Sequence, residues 1–218
     1  MACSNDGNGG SGANLNQIPA FNSTVLIIAP AGDGTGDVYV GGDFTSYNGI
    51  AVTRLVRLNA DGTVDPVLVT GVGFNGAVRS IASVGDGTGD LYVGGDFTSY
   101  RGIAVAGLVR LNADGTVDPA LVTGVGFNGA VRSIASVGDG SGDLYVGGDF
   151  SNYRGIAVAG LVRLNADGTV DPVLVTGTGF TDTVHRIAPA SDGTGDLYVG
   201  GAFTSYNGTS ANDLVRLN

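Results

Sequence analysis

Pairs of aspartates four positions apart recur in four glycine-rich segments and are the strongest candidates for chemistry in this sequence. The eight residues are Asp33, Asp37, Asp86, Asp90, Asp139, Asp143, Asp192 and Asp196. Carboxylates at this spacing, with loop carbonyls between them, are hard oxygen ligands suited to Ca²⁺. Two carboxylates per loop are few for tight binding, and Asp and Gly also form tight, well-solvated turns. The pattern therefore predicts turns first and calcium sites second.

Four tyrosines recur in a second set of polar loops, each followed by Asn or Arg and then Gly. They are Tyr47, Tyr100, Tyr153 and Tyr206. Aromatic rings beside Asp, Asn and Arg offer the stacking and hydrogen bonds that a sugar-binding surface needs. The same residues could instead cap a connection between strands. Both interpretations, a ligand surface and a structural cap, are compatible with the sequence.

Oppositely charged residues also recur on predicted strands. Asp43, Asp96 and Asp149 match Arg57, Arg110 and Arg163, copy by copy. We expect each set to form an interior ion pair that stabilises its copy. The fourth copy has Ala202 where the aspartate belongs but keeps Arg216, so Asp213 is the expected substitute partner.

Catalytic constellations are weak in this sequence. His185 is the single histidine and stands where other copies have arginine, which is poor evidence for acid–base chemistry. No serine lies in a Gly-x-Ser-x-Gly elbow, and the glycine-rich segments lack the strand-to-helix context of a phosphate loop. Because an active site normally breaks the symmetry of a repeat, we predict that the protein is not an enzyme.

Composition narrows the fold and the partners. The chain has 218 residues, 43% of them apolar, with 40 glycines, no Glu and no Lys. The absence of these helix formers makes a helical fold improbable. A net charge of -10 disfavours nucleic acid and anionic lipid surfaces as partners. No apolar run is long enough to span a bilayer.

The N-terminal segment suggests attachment to a surface. Cys3 is the only cysteine and is followed by a run of Gly, Ser and Asn, so residues 1–13 are predicted to be a flexible tether. This arrangement resembles the mature start of a bacterial lipoprotein, which implies a lipid anchor on Cys3 and an extracellular or cell-surface location. Two alternatives remain: Cys3 crosslinks neighbouring subunits, or it is an incidental thiol.

Internal repetition dominates the rest of the chain. Phe21, Phe74, Phe127 and Phe180 are 53 residues apart and mark repeats at 21–73, 74–126, 127–179 and 180–218. Within the second copy, alternating apolar residues and turn signals predict strands at 77–84, 90–97, 107–111 and 116–122. Four strands in about 40 to 55 residues are typical of a propeller blade. We therefore predict an all-β fold, a small β-propeller over residues 14–218. A β-solenoid is the weaker alternative.

The repeated segments resemble a known family. Residues 90–97 read DLYVGGDF and residues 108–118 read LVRLNADGTVD. These segments look like the "VGG-F" strand and "L-RLN-DG--D" hairpin of the bacterial delta-60 repeat family. The resemblance covers residues 21 to 218 and implies a β-propeller-like domain of secreted or surface proteins. The expanded turn after the first strand and the small number of copies depart from the family pattern.

Closure of the propeller depends on the N-terminus. The fourth copy ends after its third strand, and residues 14–20 are in register with the segment that ends the first copy's fourth strand. Leu15, Ile18 and Phe21 are therefore predicted strand-exchange residues that complete the last blade, either within one chain or between chains. Exchange between chains would give an oligomer or filament.

Two function classes follow from these patterns. The first is a non-enzymatic structural or assembly protein at the bacterial surface, which associates with itself through its N-terminal strand. The second is a module that binds a glycan or a surface protein, with Ca²⁺ as a potential aid and no other cofactor expected.

Overall fold

The computed structural model describes residues 20–68, 73–121, 126–174 and 177–218. Four antiparallel sheets of three strands follow one another along this part of the chain. The fold is all-β, as predicted. The residues of the predicted tether (1–13), with Cys3, and the predicted exchange residues Leu15 and Ile18 lie outside the described residues.

The strands repeat with the same lengths in each copy. The first copy contains β1 (Val25–Pro30), β2 (Val38–Gly42), β3 (Ser46–Tyr47), β4 (Ile50–Ala51) and β5 (Leu55–Leu58). The second contains β6 (Val78–Ser83), β7 (Leu91–Gly95), β8 (Ser99–Tyr100), β9 (Ile103–Ala104) and β10 (Leu108–Leu111). The third contains β11 (Val131–Ser136), β12 (Leu144–Gly148), β13 (Asn152–Tyr153), β14 (Ile156–Ala157) and β15 (Leu161–Leu164). The fourth contains β16 (Val184–Pro189), β17 (Leu197–Gly201), β18 (Ser205–Tyr206), β19 (Thr209–Ser210) and β20 (Leu214–Leu217).

Each blade is a sheet whose second strand lies in the middle, in the orders β1-β2-β5, β6-β7-β10, β11-β12-β15 and β16-β17-β20. The middle strand carries alternating apolar residues and ends in a Gly-Gly pair. The region predicted as a loop after it contains a separate two-residue hairpin, such as β8–β9. First strands of successive blades pack side by side, β1 on β6, β6 on β11 and β11 on β16.

The predicted fourth strand is nearly absent. In the second blade it is reduced to one isolated bridge between Leu111 and Val117. Asp118 then accepts a hydrogen bond from the Ala120 N–H at 2.8 Å, which turns the chain away from the sheet. Pro119 in this turn has no N–H to offer a sheet partner. Within the described residues the blades therefore have three hydrogen-bonded strands, not four.

The hydrophobic core lies between blades as much as within them. Tyr39 and Leu55 of the first blade belong to the same buried cluster as Val78 and Ile81 of the second. The third and fourth blades are joined in the same way, with Tyr145 contributed to the fourth blade's cluster. Burial of these apolar side chains is the main force that holds successive blades together.

Candidate functional site

The paired aspartates bind an arginine from their own blade. In the second blade, Arg110 Nη2 lies 2.7 Å from Asp90 Oδ2, and Arg110 Nε lies 3.0 Å from Asp118 Oδ2. Asp86 completes the set at 3.5 Å. The guanidinium carbon also lies 5.9 Å from the centre of the Tyr92 ring, within range of a cation–π interaction. We call this arrangement of one arginine with its surrounding carboxylates an arginine hub.

Arginine hubs recur in all four blades. Their centres are Arg57, Arg110, Arg163 and Arg216. Arg57 lies 2.7 Å from Asp37 Oδ2 and 3.2 Å from Asp65 Oδ2, and Arg216 lies 2.6 Å from Asp196 Oδ2 and 2.8 Å from Asp192 Oδ2. In each hub the cation lies against both aspartates of the turn. A Ca²⁺ ion bound to these carboxylates would have to compete with the guanidinium.

Turn chemistry holds the outer aspartate of each hub in place. The Thr35 hydroxyl and N–H both donate to Asp33 Oδ1, and the hydroxyl bond is the largest cause that lowers the pKa of Asp33 to about 2. The same Thr hydrogen bond lowers the pKa of Asp86. Ser141 takes this role in the third blade and lowers the pKa of Asp139. These carboxylates are thus charged in neutral solution and serve the turn and the arginine.

The inner aspartate of the first three hubs is buried and ties two segments together. Asp90 is 7% exposed, and its second oxygen accepts a hydrogen bond from the Ala113 N–H at 3.1 Å. Asp37 accepts from Ala60 N–H and Asp143 from Ala166 N–H in the same manner. The described residues contain no group of three or more His, Cys, Asp or Glu placed to hold a metal ion. A hub is therefore suited to fastening the first turn of a blade to its last strand.

The predicted pairing of Asp96 with Arg110 was wrong. The antiparallel register places Arg110 opposite Tyr92, so it faces the Asp90 end of β7, and Asp96 lies beyond the other end. Asp96 instead forms a two-bond pair with Arg79, with Nε and Nη2 donating at 2.6 and 2.5 Å. The equivalent residues Asp43 and Asp149 likewise do not pair with Arg57 and Arg163: Asp149 accepts from Arg132 Nε at 2.7 Å. The predicted pairing of Arg216 with Asp213 was also wrong, because Asp192 and Asp196 bind it.

The recurring tyrosines do not form a ligand surface. Tyr47, Tyr100 and Tyr153 are each 3% exposed, and Tyr206 is half-buried. In the second blade the Tyr100 ring lies 4.5 Å from the Phe74 ring, centre to centre, and its hydroxyl donates to the Gly115 carbonyl at 2.9 Å. Packing against Phe74, which itself packs against Phe97, buries the ring beneath the small hairpin, as the capping interpretation expects.

Phe21 belongs to the same kind of aromatic group. Its ring lies 4.3 Å from Phe44 and 4.6 Å from Tyr47, and it forms a bridge with Tyr47 in the first blade. Phe21 therefore packs within the first blade, not in the fourth as a strand-exchange residue. The repeated Phe–Phe–Tyr contacts explain this position, because each copy places its first phenylalanine against its own hairpin.

One cavity receives side chains from all four blades. It has a volume of about 160 Å³ and is lined by Leu26, Arg79, Arg132, His185 and Arg186. The first four are equivalent positions, and each lies at a break in the pairing register of the first strand with the second. Such β-bulges re-aim a side chain. The strand pattern alone did not reveal these bulges, although the 53-residue spacing of the four residues was visible.

Comparison with known proteins identifies the family. The model of the family described as "Domain of unknown function (DUF5122) beta-propeller" matches residues 34–66, 87–120, 140–172 and 191–218, more than half of the chain. The chain belongs to this family. The matched segments run from the aspartate turns through the hub arginines, so each DUF5122 match contains one hub centre. No curated protein matches the chain.

Two solved structures share the propeller fold with this DUF5122 protein. One is the crystal structure of the extracellular domain of a hybrid two-component system, BT3049, from B. thetaiotaomicron, with a TM-score of 0.53 and 17% identity. The other is the WD40 β-propeller domain of Doa1, with a TM-score of 0.53 and 16% identity. The matches cover 89% and 91% of this chain but only 20% and 51% of those chains. At these identities they show the fold alone.

No helix in the described residues has the length and apolar character needed to cross a membrane.

Proposed function

We propose that this chain is a non-enzymatic structural module of a bacterial extracellular or cell-surface protein, built to assemble with further propeller blades. The observation that carries the proposal is the arginine hub, which engages the recurring aspartates of every blade in ion pairs. Hubs that repeat from blade to blade make a uniform, rigid ring segment. A reaction centre would instead need a local difference between the copies.

Stability rather than catalysis explains the placement of the recurring polar groups. Asp90 is bound by Arg110 and by the Ala113 N–H, and the Tyr100 hydroxyl is bound to the Gly115 carbonyl. A general acid or nucleophile has to present a reactive atom to a substrate. The polar atoms of Asp90, Arg110 and Tyr100 are hydrogen-bonded to the backbone or to one another, which supports a structural role.

The proposed location rests on the N-terminus. We propose that Cys3 carries a lipid and that residues 1–13 hold the propeller away from the membrane. The BT3049 domain is extracellular by its own description, and this chain shares its fold at 17% identity. Mass spectrometry of the N-terminal peptide purified from the native host would test the anchor. An unmodified Cys3 thiol in that peptide would contradict it.

Self-association is the second part of the proposal. The described fourth sheet ends with β20, and its third-strand residue Leu214 is exposed. Residues 14–20, with Leu15 and Ile18, would then complete the fourth blade of the same or a neighbouring chain. Phe21 is excluded from this role by its packing in the first blade.

The alternative function, binding of a glycan or a surface protein, has less support. Its proposed surface consisted of the four hairpin tyrosines, three of which are buried. The calcium that could assist it would have to displace an arginine at each turn. The cavity that receives side chains from all four blades could hold a small ligand. Two of its arginines, Arg79 and Arg132, are however paired with aspartates.

The test of a non-enzymatic role uses the full chain and a His185→Ala variant. We expect neither protein to turn over panels of chromogenic glycosides, esters and phosphoesters above a buffer control. Specific activity that stays constant through successive purification steps and is lost in His185→Ala, with an unchanged melting temperature, would contradict the proposal. A glycan array with the full chain tests the alternative function in parallel.

A further inference from the structure

The two ends of the blade array expose the residues that are buried at every internal junction. On the fourth blade, Leu214 is 63% exposed, whereas its equivalents Leu55, Leu108 and Leu161 are 5 to 7% exposed. On the first blade, Ile28 is 62% exposed, whereas Ile81, Ile134 and Ile187 are 7 to 8% exposed. We call the surface formed by Tyr198, Gly200 and Leu214 the tail face, and the surface formed by Val25 and Ile28 the head face.

Internal junctions show how a head face fits a tail face. A Cβ atom added to Gly94 would lie 2.6 Å from Val131 Cγ1 and 2.8 Å from Ile134 Cδ1 of the next blade. Gly41 approaches Val78 equally closely, at 2.5 Å. At Gly200 the same added atom would meet nothing nearer than the Asp213 carbonyl at 3.7 Å. The tail face therefore retains the shallow glycine floor that receives a valine at each internal junction.

Backbone hydrogen bonds repeat this relationship. The N–H groups of Phe127 and Phe180 donate at 3.0 Å to Ala106 O and Ala159 O of the preceding blade. In the described residues the corresponding carbonyl of the fourth blade, Asn212 O, accepts a short local bond from the Leu214 N–H at 2.7 Å. No described blade precedes the first, so the head face lacks this connection.

The hydrophobic clusters also show that the first blade lacks the contacts that a preceding blade supplies elsewhere. The second blade's cluster includes Tyr39 and Leu55 from the blade before it, and the fourth blade's cluster includes Tyr145 and Leu161. The cluster of the first blade contains no tyrosine and leucine pair from a preceding blade. Tyr198, which would supply that tyrosine, is 39% exposed.

The charged residues around the cavity bear on which surface fits the tail face. The hydrogen bond that Arg79 donates to Asp96 of its own blade is the main cause that raises the pKa of Arg79, and the charges of Asp43 on the preceding blade and Asp149 on the following blade raise it further. Burial acts to raise the pKa of Asp149, but the hydrogen bond from Arg132 of the same blade and, less strongly, the charge of His185 on the following blade leave it lowered. Aspartates therefore act on these cationic positions both within a blade, as Asp96 does on Arg79, and across its junctions.

At the junction of a fourth blade with a first blade, both members of this charge pair are replaced. The aspartate position is Ala202 and the cation position is Leu26. Ala202 and Leu26 are both apolar, so neither would leave a charge unpaired when they face each other. Either residue opposite a charged side chain would leave that charge without its partner. Within single blades the same substitutions leave Asp43 opposite Leu26 and His185 opposite Ala202. The substitutions are thus complementary across the junction and not within a blade.

We propose that a second copy of this chain docks its head face onto the tail face of the first, and that the reciprocal contact closes a two-copy ring of eight blades. This inference rests on the proposed assembly function and names its partner. Propellers contain roughly four to eight blades. The four described blades leave both faces exposed, and two copies of them make eight blades, which lies within this range. A junction that closes on itself stops growth at the dimer.

The experiment measures mass by light scattering across a range of concentrations, for the full chain and three variants. Leu214→Asp damages the tail face and Ile28→Asp damages the head face. Ile156→Asp is the matched control, because Ile156 is 43% exposed on β14 but belongs to neither face. We expect twice the chain mass of 21.6 kDa for the full chain and the control. Each face variant should weaken the dimer at least about 100-fold.

Mixing the two face variants shows whether they are folded, because a misfolded variant could not restore a dimer. Alone, neither variant can form an intact junction, but an equal mixture offers the undamaged tail of Ile28→Asp to the undamaged head of Leu214→Asp. We expect a dimer only in the mixture, weaker than the original because it has one junction instead of two. A mixture that remains monomeric would overturn the proposal.

Removal of residues 1–19 separates this inference from strand exchange. A dimer that persists after truncation supports docking through the faces. A dimer that is lost on truncation overturns the face contact while leaving assembly through the N-terminal strand intact. A full chain that is monomeric at all concentrations overturns the face contact and strand exchange between chains, and polymers that grow with concentration overturn ring closure. The non-enzymatic role is tested separately by the turnover assays.

Discussion

Arg110 and Asp90 form the most enclosed contact of the second hub, with Nη2 2.7 Å from Oδ2 and side chains 16% and 10% exposed. Arg110→Met keeps the length of the side chain but leaves Asp86, Asp90 and Asp118 without their cation. We expect the free energy of unfolding to fall by about 3 kcal/mol, the lower end for a buried pair that loses one partner. Denaturant unfolding measures this change.

The control for that substitution is Arg216→Met. Arg216 is the equivalent hub centre, but its side chain is 40% exposed. Solvent screens such a pair, so the loss of stability should be clearly smaller than for Arg110→Met. Equal losses at the two positions would show that burial does not set the strength of the hub.

The Gly94 position tests the close approach of neighbouring blades. Gly94→Ala places a methyl group against the stiff Val131 side chain, and we expect a loss of about 1–3 kcal/mol in the free energy of unfolding. Gly200→Ala is the matched control because its surroundings are open in the single chain. Both substitutions belong in a Leu214→Asp background that keeps the protein monomeric. A large effect at Gly200 in this background would mean that its face is covered by the chain itself.

Tyr100→Phe removes only the hydroxyl that donates to the buried Gly115 carbonyl. An unsatisfied buried acceptor remains, so the free energy of unfolding should fall by about 1–2 kcal/mol. Tyr206→Phe is the comparison, because Tyr206 is only half-buried whereas Tyr100 is 3% exposed. Thermal unfolding should then show a lower melting temperature for Tyr100→Phe only.

Acid should destabilise the protein within a defined pH range. The pKa of Asp33 is lowered from 3.8 to about 2, chiefly by the Thr35 hydroxyl, and Asp86 and Asp114 are shifted in the same direction. A carboxyl with a depressed folded pKa contributes stability above its unfolded pKa and loses it as the pH falls through the folded value. Stability should therefore decline between about pH 4 and pH 2.

Individual carboxyls can be followed by NMR titration. Thr88→Val should raise the pKa of Asp86 and leave that of Asp114 unchanged, because the Thr88 hydroxyl donates to Asp86. Thr116→Val should do the reverse, because the Thr116 hydroxyl donates to Asp114. Identical shifts in both variants would indicate a general loss of structure and not a local hydrogen bond.

Calcium should have little effect on this protein. In every hub the inner aspartate holds the arginine at 2.6 to 2.8 Å. We expect the melting temperature to be the same in millimolar CaCl₂ and in EDTA. A higher melting temperature in CaCl₂ that EDTA reverses would show that the ion displaces the guanidinium. Arg57→Met would then be expected to strengthen the response.

Local spacing in the sequence was sufficient to predict the repeats and most strands. The 53-residue period, the alternating apolar residues of β7 and the glycine turns all act over a few neighbouring residues, so the chain reveals them directly. The fourth strand was overestimated because Val117 begins as a strand but Asp118 and Pro119 turn the backbone away. The sequence alone does not tell whether one or two strand-ending residues, such as Asp118 and Pro119, outweigh an apolar pattern that favours a strand.

Only the tertiary structure decided which groups meet. Arg110 could have faced either Asp90 or Asp96, and the strand register selected Asp90. Tyr100 reads as an exposed loop residue, but packing against Phe74 buries it. Leu108 and Leu214 both begin an LVRLN segment, yet one is buried and the other exposed because, among the described blades, a following blade covers Leu108 and none covers Leu214. Sequence by itself determined the blade, and contacts between distant strands and between blades determined what each side chain does.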